Sequence, residues 1–558
     1  MSLMGNMMHM PLMISSLLSH AARHNGDIEI VSKRVEGDMH RSTWAEVELR
    51  SRKLAQALDR LGLEAGDRVG TLAWNGYRHM EIYYGVSGSQ RVCHTINPRL
   101  FPQQVAWIVG DAQDKAIFVD INIFPLVDKL APMMPTVKHV IVMCGREHMP
   151  KESSIPNLLC YEELIAAEDG NYAWPSFDEN TAASICYTSG TTGNPKGVMH
   201  VHGTPGRILP RMQKDWKIGG GPERERLISY LPLSHAAERC IVEMNGLYCN
   251  GIISFSEGLE TFAAELREVE PTFFFSVPRL WVKFKAAVDA KIPPEVQAGF
   301  GEEQKEQVRK QLGLNQARMV LTGSAPCPRD VQNWFINMGV VLREGYSMTE
   351  NFCDGTFWLS DERPQAGCVG VPLNGVQIKI TDDEEVCFKS DGLMIGYYKN
   401  PEKTAEALID GWYHTGDTGK LDEEGNLWIT GRISEVFKTT KGKFIQPIKL
   451  EDDFGSLIEL EQVCVCGHGL DQPLLLATLS ELGKALPSAD LLTSLEASLE
   501  RINSKLAAYE RVKHIVITPE WTIMNGLLTP TMKLKRKSII AHFSAQIEAR
   551  HESTVVFM

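Results

Sequence analysis

The sequence predicts an α/β fold: a large N-terminal domain of βαβ sheets with a β-rich subdomain, then a small α+β C-terminal domain. Three observations carry this. Short apolar strand runs alternate with helix patterns over the first two thirds of the chain. Gly, Asp and Asn turns become dense near residue 370. Beyond Gly431-Arg432 remain about 125 residues, an ordinary size for one domain.

The elements follow in order. Ser42 or Thr43 caps a helix running to Leu61, with Val47, Leu54, Leu58 and Leu61 on one face and Gly62 just past the end. Residues 68–74 (RVGTLAW), 116–120 (AIFVD) and 139–143 (HVIVM) read as strands. Short apolar strands separated by helices imply a mostly parallel sheet. Residues 273–277 and 319–321 continue the style. Asp391-Gly392, Asp410-Gly411 and Glu424-Gly425-Asn426 then separate short β-type runs and predict hairpins. The last segment holds strands at 463–466 and 474–479, a helix pattern over 489–506 and a basic end. The main boundary is placed at 432–434, dividing the chain into 1–431 and 432–558. Trp281, Phe273, Phe274 and Phe275 are expected in the core, some of them lining an apolar tunnel.

Composition narrows the function. The chain has 558 residues, 43% of them apolar, and a net charge of −13. Two to four domains are expected at that length. An acidic balance excludes a nucleic-acid polymer as the main partner, because backbone binding needs clustered Lys/Arg. It leaves room for a phosphate-bearing small molecule, since backbone N–H groups bind anions in acidic proteins too. The twelve cysteines form no CxxC pair, which argues against a zinc ribbon or a thioredoxin-type site. Their scatter fits a reducing compartment, so a cytoplasmic location is expected. Cys464 and Cys466 share one strand face and read as buried thiols. The apolar run at 11–18 is too short to span a bilayer and lacks a signal-peptide pattern, so it reads as packing at an edge. Peripheral membrane contact and homodimerisation stay open.

The strongest chemical signal is Tyr187-Thr-Ser-Gly-Thr-Thr-Gly-Asn-Pro-Lys-Gly197. Its glycines let the backbone approach an anion, its hydroxyls add donors, and Lys196 adds a cation for phosphate oxygens. The order differs from the GxxxxGK[ST] of P-loop NTPases.

This string resembles the phosphate loop of the adenylate-forming (AMP-binding) superfamily. Other matches follow in order: Leu231-Pro-Leu-Ser-His235, Leu321-Thr-Gly-Ser-Ala-Pro326, Glu344-Gly-Tyr-Ser-Met-Thr-Glu350, Trp412-Tyr-His-Thr-Gly-Asp417, Gly431-Arg432 and Leu528-Thr-Pro-Thr-Met-Lys533. Within the superfamily the chain is similar to fatty acyl-CoA synthetases. Residues 277–281 and 437–447 look like long-chain members, and residues 71–97 look like medium-chain members.

The resemblance implies an AMP-forming fatty acid–CoA ligase. A carboxylate attacks the α-phosphorus of ATP, giving acyl-AMP and pyrophosphate; the CoA thiol then displaces AMP. The partners implied are a fatty acid and CoA, with ATP and Mg2+ as cofactors. Thr188, Ser189, Gly190, Thr191, Thr192, Gly193 and Lys196 would hold phosphates. Gly323, Ser324, Ala325, Glu344, Gly345, Tyr346, Ser347 and Thr349 would line the nucleotide, with Tyr346 facing adenine. Glu350 would bind Mg2+. Asp417 and Arg432 would hold ribose, and His235 would stand near the carboxylate and thiol path. Lys533 would bridge carboxylate and α-phosphate, stabilising the charge added in the transition state. It must then leave, so the C-terminal domain is expected to be mobile, swinging near Ser434. Gly442 would admit the pantetheine arm. Family hinges commonly carry Asp or Lys where Ser434 stands, and residues 382–390 (DDEEVCFKS) lack the usual GEL-type opening. Two readings compete: an acyl-AMP ligase serving a carrier protein or other acceptor, and a fatty-acid-binding scaffold with a dead site.

Overall fold

The computed structural model describes residues 10–188, 195–219, 223–360, 362–529 and 533–558. An eight-stranded sheet dominates the N-terminal domain. Its spatial order is Gly396–Tyr397, Lys196–Val201, Ala182–Thr188, Val92–Ile96, Arg68–Leu72, Ala116–Val119, His139–Val142 and Leu159–Cys160. From Ala182–Thr188 onward the pairs are parallel; the first two pairings are antiparallel. The expected strands at 68, 116 and 139 lie side by side here, fed by helices such as Trp44–Arg60. That helix starts where Thr43 and Glu46 form a reciprocal capping box, and its Val47, Leu54 and Leu58 are fully buried. Ser42 belongs to the preceding strand.

A second sheet joins Phe273–Ser276, Met319–Thr322 and Leu342–Tyr346 in parallel. Thr356–Phe357 and Val371–Pro372 extend it antiparallel. Phe273, Phe274, Phe275 and Trp281 are all buried core. Phe274 and Trp281 pack edge to face, with ring centroids 5.5 Å apart.

The β-rich part is antiparallel: Gln377–Ile380, Glu385–Lys389, Trp412–Leu421 and Leu408–Ile409, with Leu427–Arg432 beside Trp412–Leu421. Asp410-Gly411 and Glu424-Gly425-Asn426 close hairpins as expected. Asp391-Gly392 does not. It sends the chain from Glu385–Lys389 to Gly396–Tyr397 in the large sheet, a crossover that turn chemistry alone does not distinguish from a hairpin.

The C-terminal domain carries its own four-stranded sheet, Leu460–Cys466, Leu474–Leu479, Ile515–Ile517 and Val555–Phe557, flanked by the helix Ser488–Asn503. Cys464 and Cys466 face one core and Val465 faces another, as period-2 alternation requires. All twelve cysteines are free thiols. The apolar run near residue 14 is not edge packing. It forms the amphipathic helix Ile14–Asn25, whose Ile14, Leu18 and Ala21 enter the main core. Among the described residues, no helix is long and apolar enough to cross a membrane.

Candidate active site

The antiparallel strands Ala182–Thr188 and Lys196–Val201 set Thr188 opposite Lys196. Ser189, Gly190, Thr191, Thr192 and Gly193 lie outside the described residues. The Lys196 ammonium stands 4.1 Å from the centroid of the Tyr397 ring. The Tyr397 hydroxyl donates to Glu350 Oε1 at 2.9 Å. One tyrosine thus contacts both the loop cation and the acid expected to hold Mg2+. Sequence reasoning passed over Tyr397. Its position comes from the short strand Gly396–Tyr397 pairing with the strand that carries Lys196, roughly 200 residues away in sequence. A single carboxylate beside a hydroxyl suits Mg2+, which keeps several waters and takes its remaining oxygens from phosphates.

Glu350 opens from the short 3-10 turn Thr349–Asn351, just beyond the strand Leu342–Tyr346. The Thr349 carbonyl lies 2.7 Å from His200 Nε2. Gly323 follows the strand Met319–Thr322, and Gly345 lies on its parallel neighbour Leu342–Tyr346. A Cβ on Gly345 would fall 2.3 Å from the Phe357 ring, and one on Gly323 would fall 3.0 Å from the Gly345 carbonyl. Only glycine allows this approach. Ser324 holds a left-handed φ of 71°, and Ala325 is exposed beside it. Ser347 follows Tyr346 and packs under Gly355. Glu344 lies on the strand Leu342–Tyr346. Its carboxyl is buried and Oε1 accepts the Cys327 N–H at 3.0 Å, bracing the turn at 323–325 from behind. Burial pushes it up to about 8.

Asp417 receives two donors: the Tyr346 hydroxyl on Oδ2 and Arg432 Nε on Oδ1, each at 2.6 Å. Asp417 and Arg432 are cross-strand partners, so sheet register places the ion pair. Phe388 stacks near-parallel to Tyr346, with centroids 5.6 Å apart.

Lys533 comes from the other domain. The residue is exposed, and its ammonium interacts electrostatically with Arg432, Asp417 and Glu350. Burial and the like charge of Arg432 lower its pKa; Asp417 and Glu350 oppose that. The same ammonium acts on His235, whose pKa is pushed down to about 4, mainly by burial and then by Lys533. His235 is therefore neutral at pH 7. Its Nδ1 accepts the Ala237 N–H at 3.2 Å, which assigns the ring proton to Nε2. A π-helix, Glu238–Met244, follows directly, a distortion common beside functional sites. The fold thus gathers Lys533, Glu350, Asp417, Arg432 and His235 from segments 298 residues apart. Ser434 sits exposed in the 3-10 turn Ile433–Glu435. Gly442 is exposed at the hairpin between Phe437–Lys438 and Phe444–Ile445.

Residues 18–398 match the AMP-binding enzyme family, and residues 435–554 match the AMP-binding enzyme C-terminal domain. The chain belongs to the AMP-binding enzyme family. A 3-methylmercaptopropionyl-CoA ligase from Ruegeria lacuscaerulensis is 32% identical over 534 residues, 89% of this chain and 93% of the relative. A medium-chain-fatty-acid–CoA ligase from Ectopseudomonas oleovorans is 32% identical over 481 residues, 80% of this chain and 82% of the relative. The crystal structure of the anthranilate CoA ligase AuaEII in complex with anthranoyl-AMP superposes with a TM-score of 0.80 at 20% identity, covering 96% of this chain and 99% of that one. That likeness shows the fold: a large N-terminal domain and a smaller C-terminal domain.

Proposed function

We propose that this AMP-binding enzyme activates a medium- or long-chain fatty acid to acyl-AMP and passes the acyl group to CoA. One observation carries the reading. The Lys533 ammonium reaches a cleft that already holds Asp417, Glu350, Arg432 and His235. The first step joins two anions, which repel by about 4 kcal/mol at 4 Å near a protein surface. Lys533 stands where it can touch both. A fatty-acid oxygen attacks the α-phosphorus, the bond to pyrophosphate breaks, and acyl-AMP remains. The neutral His235 offers its Nε2–H to a carboxylate oxygen. Asp417 accepts ribose hydroxyls while Arg432 holds its charge in place. Bound Mg2+ would neutralise phosphate charge beside Glu350.

The second step needs Lys533 out of the thiol's path. We place the pivot at residues 432–434, dividing the chain into 1–431 and 432–558. Arg279 and Glu461 bridge the domains at 2.7 Å, but both are about one third exposed, so that pair contributes little. Across the same interface the partly buried Asp452 acts electrostatically on Glu344; its own carboxyl is raised to about 7, chiefly by burial.

An ATP–pyrophosphate exchange panel over saturated acids of increasing length, 3-methylmercaptopropionate and an aromatic acid tests the substrate. Exchange should peak on a fatty acid, and added CoA should release AMP and form thioester. A peak on the short thioether or aromatic acid overturns the substrate class. AMP release that ignores CoA overturns the acceptor in favour of a carrier-protein ligase.

Tyr397 yields a separate prediction. Tyr397→Phe keeps the ring under Lys196 and removes only the hydroxyl on Glu350. Mg·ATP binding, read by calorimetry, should weaken by roughly tenfold to 100-fold, the loss of one hydrogen bond to a charged group. Tyr397→Leu removes both contacts and should cost more. Equal affinity for wild type and Tyr397→Phe would remove the hydroxyl from the site.

A further inference from the structure

Glu385 and Cys387 stand two apart on the strand Glu385–Lys389, and His414 lies directly across from Cys387. Positions i and i+2 share a face of a strand, and a cross-strand neighbour stands about 5 Å away. Three donors of different chemistry therefore converge. His414 Nδ1 is 2.7 Å from Glu385 Oε2 and 3.5 Å from Cys387 Sγ, and the three ligand atoms lie within 4.8 Å of one another. Cys387 is buried; Glu385 and His414 are partly exposed, so solvent reaches the mouth of the cluster.

We propose that Glu385, Cys387 and His414 form a zinc site with three protein ligands and one water. The donor set is the one zinc takes: thiolate sulfur, imidazole nitrogen and carboxylate oxygen. Tetrahedral bonds of about 2.3 Å to sulfur and about 2.0 Å to nitrogen put S and N about 3.5 Å apart, the separation already present. The N–O pair must open by about 0.6 Å to reach the roughly 3.3 Å that tetrahedral geometry sets. On loading, Zn–S, Zn–N and Zn–O bonds form. The Cys387 S–H bond breaks, and its proton goes to solvent. The proton on His414 Nδ1 moves to Nε2. Thiolate and carboxylate together neutralise the ion, and nothing is oxidised or reduced. Glu385 keeps its other oxygen on the Gly416 N–H at 2.9 Å, one residue before Asp417. The ion would thus sit behind the Asp417 loop, with ligands separate from Glu350. Nothing in this assignment depends on which acid the enzyme activates.

Full-length protein stripped by chelator is titrated with Co2+ as a spectroscopic probe, then with Zn2+. One equivalent of Co2+ should produce a thiolate-to-cobalt charge-transfer band with tetrahedral visible bands, and Zn2+ should displace it. Cys387→Ser should abolish the charge-transfer band, while Cys368→Ser, at a different buried thiol, should keep it. His414→Gln should weaken Zn2+ binding by at least about tenfold. Thermal melts check that each variant folds. If Cys387→Ser does not fold, His414→Gln at its partly exposed position carries the test. The absence of a thiolate band in the wild type, its persistence in Cys387→Ser, or unchanged Zn2+ affinity in His414→Gln overturns the site.

Discussion

Lys533→Ala should slow acyl-AMP formation by roughly 100- to 1000-fold, the usual cost of removing one preorganised donor from a developing charge. Thioester formation from supplied acyl-AMP should continue at a near-normal rate, because the thiol step needs Lys533 absent. The two half-reactions are read separately, by pyrophosphate exchange and by AMP release from synthetic acyl-AMP. Equal loss in both would strip Lys533 of its special part in the first step. A pH profile adds a second check. The free-enzyme profile of kcat/KM for adenylation reports the ionisation of the unliganded group. The ammonium is the active form, and burial with Arg432 lowers its pKa from the ordinary 10.5. Activity should therefore fall on the alkaline side at a pH below 10.5. That limb should vanish in Lys533→Ala.

Asp417→Ala should weaken ATP binding by roughly 10- to 100-fold, at about 1.4 kcal/mol per factor of ten. It removes the acceptor for two ribose hydroxyls and strands two donors, the Tyr346 hydroxyl and Arg432 Nε. Unfolding free energy should drop by about 1–2 kcal/mol; the desolvation loss at the buried aspartate is discounted because the Arg432 side chain is 40% exposed. Asp417→Asn keeps an acceptor for Tyr346 but removes the charge facing Arg432, so its ATP loss should lie between wild type and Asp417→Ala. Calorimetric titration with ATP and urea unfolding separate the two effects. Unchanged ATP affinity in both variants would remove Asp417 from ribose recognition.

Local elements were legible because local physics makes them. The Thr43 cap, the Val47–Leu54–Leu58 face and the turns at Gly411 and Gly425 each rest on residues a few positions apart. The cluster's chemistry was legible too, because Lys196, Glu350, Asp417, Arg432 and Lys533 stand in recognisable strings. Three features were not. The crossover after Gly392 uses the same dipeptide as a hairpin. Tyr397 gains its place through a long-range strand pairing. Glu344 lies beside nucleotide-type residues, yet its carboxyl is tied to the Cys327 N–H, a partner on a separate segment that no local pattern reveals.

Sequence by itself determined the α/β class and the family the chain enters, because periodicity, turn chemistry and ordered motifs are local properties. Tertiary structure alone decided which side chains meet: Lys533 beside Asp417 and Glu350, Tyr397 between Lys196 and Glu350, and Cys387 across from His414. Those meetings depend on strand register and domain docking, and both are set by burying apolar surface between segments far apart in the chain.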